Sequence, residues 1–421
     1  MELAILGGKP VRTVPFPSWP VYDLDEERSL LEVLRSGSWG GYNEKVEEFE
    51  AAFAELHHVR HAISCANGTV ALEAALEALG VQCGDEVIVP PFTFVATATA
   101  VLLRHGVPIF VDIDPATLNL SPSAVEAAIT PRTRAVIAVH FGGLPADMDA
   151  LRSLAERYGV ALIEDAAHAH GALWRGKPVG NFGAAATFSF QAFKLVSSGE
   201  GGVIVTNDSD LAARLWSYCN QGRRKGADWY EHYTLGSNYR LTGFQAAILC
   251  AQLRKLPEQI RVRTENVRYL RQQLQSFPGL RMLGEDPRVD RQPHYLTTLR
   301  YDESLFDGVP RDLFLRALQA EGIPAHKPYP YPLYRNPVFH EKALPPCRCG
   351  NWKTPQKYAS LFLPESERIC REGVWLEHNV FLGSRKDIDD ILAACEKVQR
   401  SVASLASPPS SLLKNSTNVS F

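Results

Sequence analysis

The chain has 421 residues, 45% of them apolar and 22% charged, with a net charge of −3. That length exceeds one ordinary core and predicts two domains. The near-balanced charge excludes the basic footprint of a nucleic-acid binder. The start, MELAILGGKPVR, has no basic stretch leading into an apolar core, so no signal peptide is expected. The longest apolar stretch, near Phe92 to Leu103, is too short and too rich in Thr for a membrane span. Eight scattered cysteines read as reduced thiols of a cytoplasmic protein. Cys347 and Cys349 make a lone C-x-C, short of the ligands that zinc needs, so no metal is expected.

In chain order, residues 1–45 read as an N-terminal arm. His61 to Cys65 predicts a strand, and Thr69 to Leu79 a helix with Leu72, Leu76 and Leu79 on one face and Gly80 at its C-terminal cap. Glu86 to Pro90, Val107 to Val111, Ala135 to Val139 and Val160 to Ile163 are continuous apolar runs separated by helical patterns. Such runs predict a parallel sheet buried on both faces. Ala184 to Phe190 and Gly202 to Thr206 add two strands. The expectation is a large doubly wound α/β domain over residues 46–260. A long helical pattern begins near Thr242 and runs past Leu253, with a kink expected at Pro257. Residues 261–405 read as a smaller α+β domain, closed by a helix that aligns Ile388, Ile391, Leu392, Cys395 and Val398. The Ser/Pro/Asn-rich stretch 406–421 predicts a disordered tail.

Four clusters carry chemistry. In VALIEDAAHAH, an apolar strand ends in Glu164 and Asp165, where open α/β sheets bind ligands; a helix N-cap is the plain alternative. In AAATFSFQAFKLVSSGEGG, Lys194 follows a strand end and precedes a glycine-rich stretch. A desolvated lysine there is a Schiff-base nucleophile, and an exposed one is merely solvated. Asn67-Gly68-Thr69 opens a helix, where exposed N–H groups form an anion site or simply a cap. In PPFTF, an aromatic ring at a strand end either stacks on a planar ligand or packs in the core. Arg223, Arg224 and Lys225 read as a solvated loop. Together, a lysine, an anion nest, a carboxylate and a stacking face meet the needs of a cofactor with an aldehyde, a phosphate and a protonatable ring nitrogen.

The motifs SCANGTVAL, VPPFTFVATA, EDAAHA, FSFQAFK and GEGG resemble, in combination and over about residues 5 to 400, the DegT/DnrJ/EryC1/StrS family of pyridoxal 5'-phosphate (PLP)-dependent sugar aminotransferases of fold type I. GGKPVRTVPFPSWP, GSNYRL and YPLYRNPVF resemble the branch of glutamine-dependent keto-cyclitol aminotransferases and 3-amino-5-hydroxybenzoate synthases. The resemblance implies that Lys194 bonds the aldehyde of PLP and that Asp165 pairs with its ring nitrogen. Phe94 and Ala167 would flank the ring and His168 would approach its hydroxyl. Gly68, Thr69 and Ser189 would bind the phosphate, joined by Asn238 of a neighbouring subunit, so that a homodimer shares its sites. The loop of Gly40, Gly41 and Tyr42, the segment of Tyr329, Tyr331 and Tyr334, and His378 are candidate substrate contacts, with ordinary packing as the alternative for each. The implied reaction moves an amino group from glutamine or glutamate to a keto-cyclitol or keto-sugar by a ping-pong mechanism. A synthase-like dehydratase that aromatises its product and a non-catalytic regulator are the competing readings.

Overall fold

The computed structural model describes residues 2–340 and 356–406. The apolar runs become β1 (His61–Cys65), β2 (Glu86–Val89), β3 (Val107–Phe110), β4 (Thr133–Val139) and β5 (Ala161–Asp165), followed by β6 (Leu173–Trp174), β7 (Lys177–Pro178), β8 (Ala185–Ser189) and β9 (Gly202–Thr206). Seven of them form one sheet in the order β1-β9-β8-β5-β4-β2-β3. The pairs β2–β3, β2–β4, β4–β5 and β5–β8 are parallel, whereas β9 runs against both β8 and β1.

Because side chains alternate along a strand, the sheet feeds two faces. Val87, Val89, Ile137 and Ile204 pack on one side with Leu72, Leu76, Val101 and Leu215. Phe188, Val203 and Val205 pack on the other with Phe49, Phe53 and Leu249. The covering helices are α1 (Leu24–Ser36), α2 (Glu44–His57), α3 (Gly68–Ala78), α4 (Ala96–Leu103), α5 (Pro122–Ala128), α6 (Met148–Tyr158), α7 (Ser209–Cys219) and α8 (Gly243–Leu274). A capping box of Thr242 and Gln245 starts α8. The helix then continues across Pro257 without a break. Leu253, Leu256 and Ile260, buried in the large core on either side of the proline, hold it in place.

The junction expected between residues 260 and 261 lies inside α8. Beyond it, Val267, Leu270 and Leu274 enter a second core. That core rests on the strands β10 (Leu280–Met282), β12 (Leu296–Tyr301), β13 (Ala325–His326) and β14 (Gly373–Glu377), while β11 (Val289–Arg291) pairs with β6. It is completed by α9 (Arg311–Ala320) and α11 (Arg385–Arg400), with α10 (Pro364–Glu372) between them in the chain. The arm is fastened to this core. Leu3 is buried in it, Arg12 pairs with Asp387 (2.6 Å) and Asp390 (2.8 Å), and Glu321 accepts from the Ala4 and Val11 amides and from Lys397. Leu333, Tyr334, Phe339 and Tyr358 return to the large core. Tyr334 is fully buried there and donates to Glu367 (2.6 Å), so it is a core residue and its candidacy as a substrate contact is corrected.

Cys65, Cys219, Cys250, Cys370 and Cys395 are buried and free. Cys83 is disulfide-bonded, which corrects the expectation of reduced thiols throughout. Cys347, Cys349 and the tail from residue 407 lie outside the described residues. Among the described residues, no helix is long and apolar enough to cross a membrane.

The two adjacent carboxylates at the end of β5 face opposite ways. Glu164 is fully buried and accepts from His140 Nε2 (3.1 Å) and from the amides of Gly180 (2.9 Å), Phe182 (2.8 Å) and Gly183 (2.9 Å). Burial pushes its pKa up, but the His140 contact and these amides outweigh burial and leave it below its ordinary 4.5. Glu164→Ala should lower the unfolding free energy by about 3–5 kcal/mol, because it orphans buried donors. A group whose folded pKa is depressed contributes fully above its unfolded value and loses that contribution as pH falls through the folded value. Urea denaturation should therefore show the full wild-type advantage at neutral pH, shrinking in acid below about pH 4.

Candidate active site

Parallel pairing of β5 with β8 sets Asp165 opposite Thr187, so both strands deliver their C-terminal ends to one edge of the sheet. Beyond Ser189 the chain turns, with the Lys194 amide donating to the Gln191 carbonyl (2.8 Å). Lys194 is thereby returned to the edge that holds Asp165. The reversed strand β9 adds the third piece, since Gly202 is paired with both Cys65 and Ser189. The end of β1, and hence the start of α3, lies beside the end of β8.

Glycine is required at two points here. A Cβ at Gly202 would collide with the Asn67 carbonyl, and one at Gly68 would sit 2.8 Å from the Ser189 Cβ. Asn67 caps α3 by accepting from the Val70 amide (3.0 Å). The first-turn amides that follow have no acceptor within the helix, and the helix dipole adds positive potential at that end. Gly68, Thr69 and Ser189 thus form one cup suited to an anion.

Asp165 is buried, 6% exposed. Thr97 Oγ1 donates to its Oδ2 (2.8 Å) and the Ala167 amide to its Oδ1 (3.3 Å). Burial raises its pKa, while the Thr97 bond, the Ala167 amide and the Lys194 amine pull the other way. A carboxylate left short of donors in this way suits a cationic partner. Burial pushes the Lys194 amine down to about 8 against the opposing pull of Asp165. Its Nζ lies 3.5 Å from Tyr295 Oη and 4.5 Å from the centre of that ring. Tyr295 stacks on His168 at 4.3 Å. His168 is held uncharged by burial first and then by Lys194 and His170, and its Nδ1 is buried with no hydrogen-bond partner among the described residues.

Lys194, Asp165, Ala167, His168, Gly68, Thr69 and Ser189 are therefore assembled at one edge of the sheet. Phe94 follows β2 and is 58% exposed. Tyr329 packs edge-on against Phe92 (5.4 Å) and Trp375 (5.0 Å), its hydroxyl pushed up by burial and then by Tyr295 and Asp165. His378 is buried at 5.7 Å from Tyr295, and Tyr331 is exposed. The loop of Gly40, Gly41 and Tyr42 and the residue Asn238 lie elsewhere in the chain's own fold. Tyr42 accepts from Arg223 (3.2 Å) and lines an open cavity of about 510 Å³ with Gly41, Arg224, Lys225 and Arg240, a cavity not lined by Lys194 or Asp165. Gly40 is exposed beside it in sequence. Asn238 bridges to Asn220 on an exposed loop after α7. Thr97 and Tyr295 were absent from the expected set. Thr97 had a signal, as the hydroxyl that follows PPFTF on the next helix, whereas Tyr295 lies 101 residues from Lys194 with no local mark.

Residues 21–396 match the DegT/DnrJ/EryC1/StrS aminotransferase family. The chain belongs to that family. It is an enzyme, a PLP-dependent transaminase. It is 41% identical over 424 residues to the L-glutamine:2-deoxy-scyllo-inosose aminotransferase of Streptomyces fradiae, covering 96% of this chain and 99% of that one. It is 40% identical over 378 residues to the 3-amino-5-hydroxybenzoate synthase of Amycolatopsis mediterranei (strain S699), covering 89% and 94%. The crystal structure of 3-amino-5-hydroxybenzoic acid synthase matches with a TM-score of 0.83 at 38% identity, covering 94% of this chain and 100% of that one.

The environment of Lys194 in this aminotransferase is open to direct measurement. In cofactor-free protein, pulse labelling with an amine-selective reagent, read by peptide mass spectrometry, should show Lys194 reacting with a midpoint near pH 8. Exposed lysines should follow the ordinary value of about 10.4.

Proposed function

We propose that this aminotransferase moves an amino group from glutamine or glutamate to a keto-cyclitol or keto-sugar, in two half-reactions that share one site. The observation that carries the reading is the pairing of a low-pKa amine, Lys194, with a buried carboxyl, Asp165, each acting on the other at the edge of one sheet. The donor set fits PLP. The cup of Gly68, Thr69 and Ser189 would take the phosphate, Lys194 would bond the aldehyde carbon, and Asp165 would pair with the ring nitrogen. The unpartnered Nδ1 of His168 would face the ring hydroxyl, with Phe94 and Ala167 against the ring. When bound, PLP supplies an aldehyde that takes up the amino group and a protonated ring that withdraws electrons from the neighbouring carbon.

The chain's own residues supply the rest. Thr97 and the Ala167 amide hold Asp165 in position, so that its carboxylate keeps a proton on the ring nitrogen. Lys194 Nζ would take a proton from the substrate carbon and return one, as base and then acid. A pKa near 8 suits both directions close to neutral pH. Tyr295, His168 and His378 form a wall that burial keeps uncharged, so Asp165 is the charged group that acts on the amine among the described residues. The keto-cyclitol acceptor is supported by the 41% identity to a deoxy-scyllo-inosose aminotransferase. We further assign the protein to the cytoplasm and to a homodimer in which Asn238 reaches the neighbouring site. The exposed Trp229, Tyr230 and Leu235, on the same loop, support a partner surface there.

A panel of amino donors against keto-cyclitols and nucleotide keto-sugars, scored by product mass, tests the reading. Transfer to a keto-cyclitol with a saturated product is expected. A product that has lost water and absorbs strongly in the ultraviolet would instead favour the synthase-like reaction, which the 40% identity to 3-amino-5-hydroxybenzoate synthase keeps in view. Lys194→Ala should abolish borohydride trapping of the cofactor and reduce turnover by at least about a thousandfold. Asn238→Ala should speed cofactor loss on dialysis, by about tenfold if one charge-assisted contact is removed. A wild-type monomer, shown by sedimentation at high dilution to be fully active, would contradict the shared site.

A further inference from the structure

Two side chains from distant parts of the chain hold the backbone just ahead of Lys194. Trp19 Nε1 donates to the Ala192 carbonyl (3.0 Å). His378 Nε2 lies 3.0 Å from the Phe193 carbonyl. A carbonyl only accepts, so Nε2 carries the hydrogen. Burial, then the Arg263 guanidinium, hold the His378 ring uncharged, with a pKa of about 3. Its one donating edge is thus committed to Phe193. The rings of Trp19 and His378 meet edge to face at 4.5 Å.

Both contacts are anchored from behind. Asn379 Nδ2 donates to the Pro17 carbonyl (2.8 Å), tying the arm to the turn that bears His378. Asn266 of α8 donates to the carbonyls of Phe381 (3.0 Å) and Gly383 (2.9 Å), seating that turn on the helix shared by both cores. His378 also stacks on Tyr295 at 5.7 Å and 23°, and Tyr295 is the ring against which the Lys194 amine rests. The lysine is therefore reached at its main chain through Phe193 and at its amine through Tyr295. The turn needs such support, because Phe193 is 51% exposed and a lysine side chain has large rotamer freedom.

We propose that Trp19 and His378 form a clamp that positions Lys194, and that His378 is a positioning residue instead of a substrate contact. This rests on the reading of Lys194 given above. The clamp makes the arm and the small domain part of the catalytic geometry: displacing either one moves the amine relative to Asp165. Displacement on the scale of an ångström costs about a hundredfold in rate.

The test uses the holoenzyme. Trp19→Phe and His378→Phe each remove one donor and keep a ring. Each should lower kcat by about 10- to 100-fold while KM for amino donor and ketone stays within about twofold. Each should also shift the pH midpoint of the bound cofactor's visible absorbance. His378→Gln, whose amide N–H can donate to the same carbonyl, should recover most of the loss. A tenfold or larger rise in either KM with kcat and the absorbance midpoint unchanged would make His378 a substrate contact and overturn the clamp, as would wild-type behaviour of both Phe variants. Should His378→Phe fail to fold, Trp19→Phe decides by the same criteria. A wild-type protein without a visible cofactor band strikes the cofactor reading itself, before any variant is compared.

Discussion

The parallel registration of β5 against β8, with Asp165 set opposite Thr187, is the contact on which the rest of the site depends. It places an acid and, one short turn later, an amine at the same end of one sheet. The antiparallel strand β9 then brings Gly202 between Cys65 and Ser189. That row draws the start of α3 against β8 so closely that Gly68 has no room for a side chain. Backbone pairing alone accordingly gathers a carboxylate, an amine and an anion cup from three separate segments.

Desolvation then differentiates groups that look alike in the chain. Glu164 and Asp165 are neighbours and both buried, yet Glu164 has four donors and is held below its ordinary range. Asp165 has two, and its carboxyl is raised. One carboxylate is consumed in fixing the loop before β8, and its neighbour is left ready for a cation. The same burial lowers the Lys194 amine and keeps His168 and His378 neutral. Few permanent charges therefore compete with the Lys194–Asp165 pair.

Helix α8 links these local effects to the whole molecule. Its first half belongs to the large core and its second half to the small one. Between them Arg263 is fully buried, with none of its guanidinium nitrogens hydrogen-bonded among the described residues, and burial pushes it down to about 9. Its charge acts on His170, His294 and His378 and helps to keep all three uncharged. With the N-terminal segment bonded to the small core by Arg12 and Glu321, that segment, the small core and the lysine turn meet at Trp19 and His378.

The sequence by itself determined what depends on local pattern. Continuous apolar runs rich in Val and Ile marked β2, β3, β4 and β5, because a strand buried on both faces has no polar side to alternate. Asn67 marked the start of α3, because its side chain caps the helix whatever lies beyond. Asp165 and Lys194 stood out because each follows a strand end. Only the tertiary structure decided what depends on which surfaces meet. The reversed direction of β9 follows from pairing with both neighbours, which leaves no local trace. Pro257 passes through α8 because buried neighbours on both sides hold the helix. Tyr334 enters the core while Tyr329, in the same tyrosine-rich segment, stays near the site. Tyr295, Trp19 and His378 reach Lys194 or its flanking carbonyls across separations of 101, 173 and 185 residues. Periodicity records that a side chain is buried, and the partner it is buried against is fixed only when the separate cores pack.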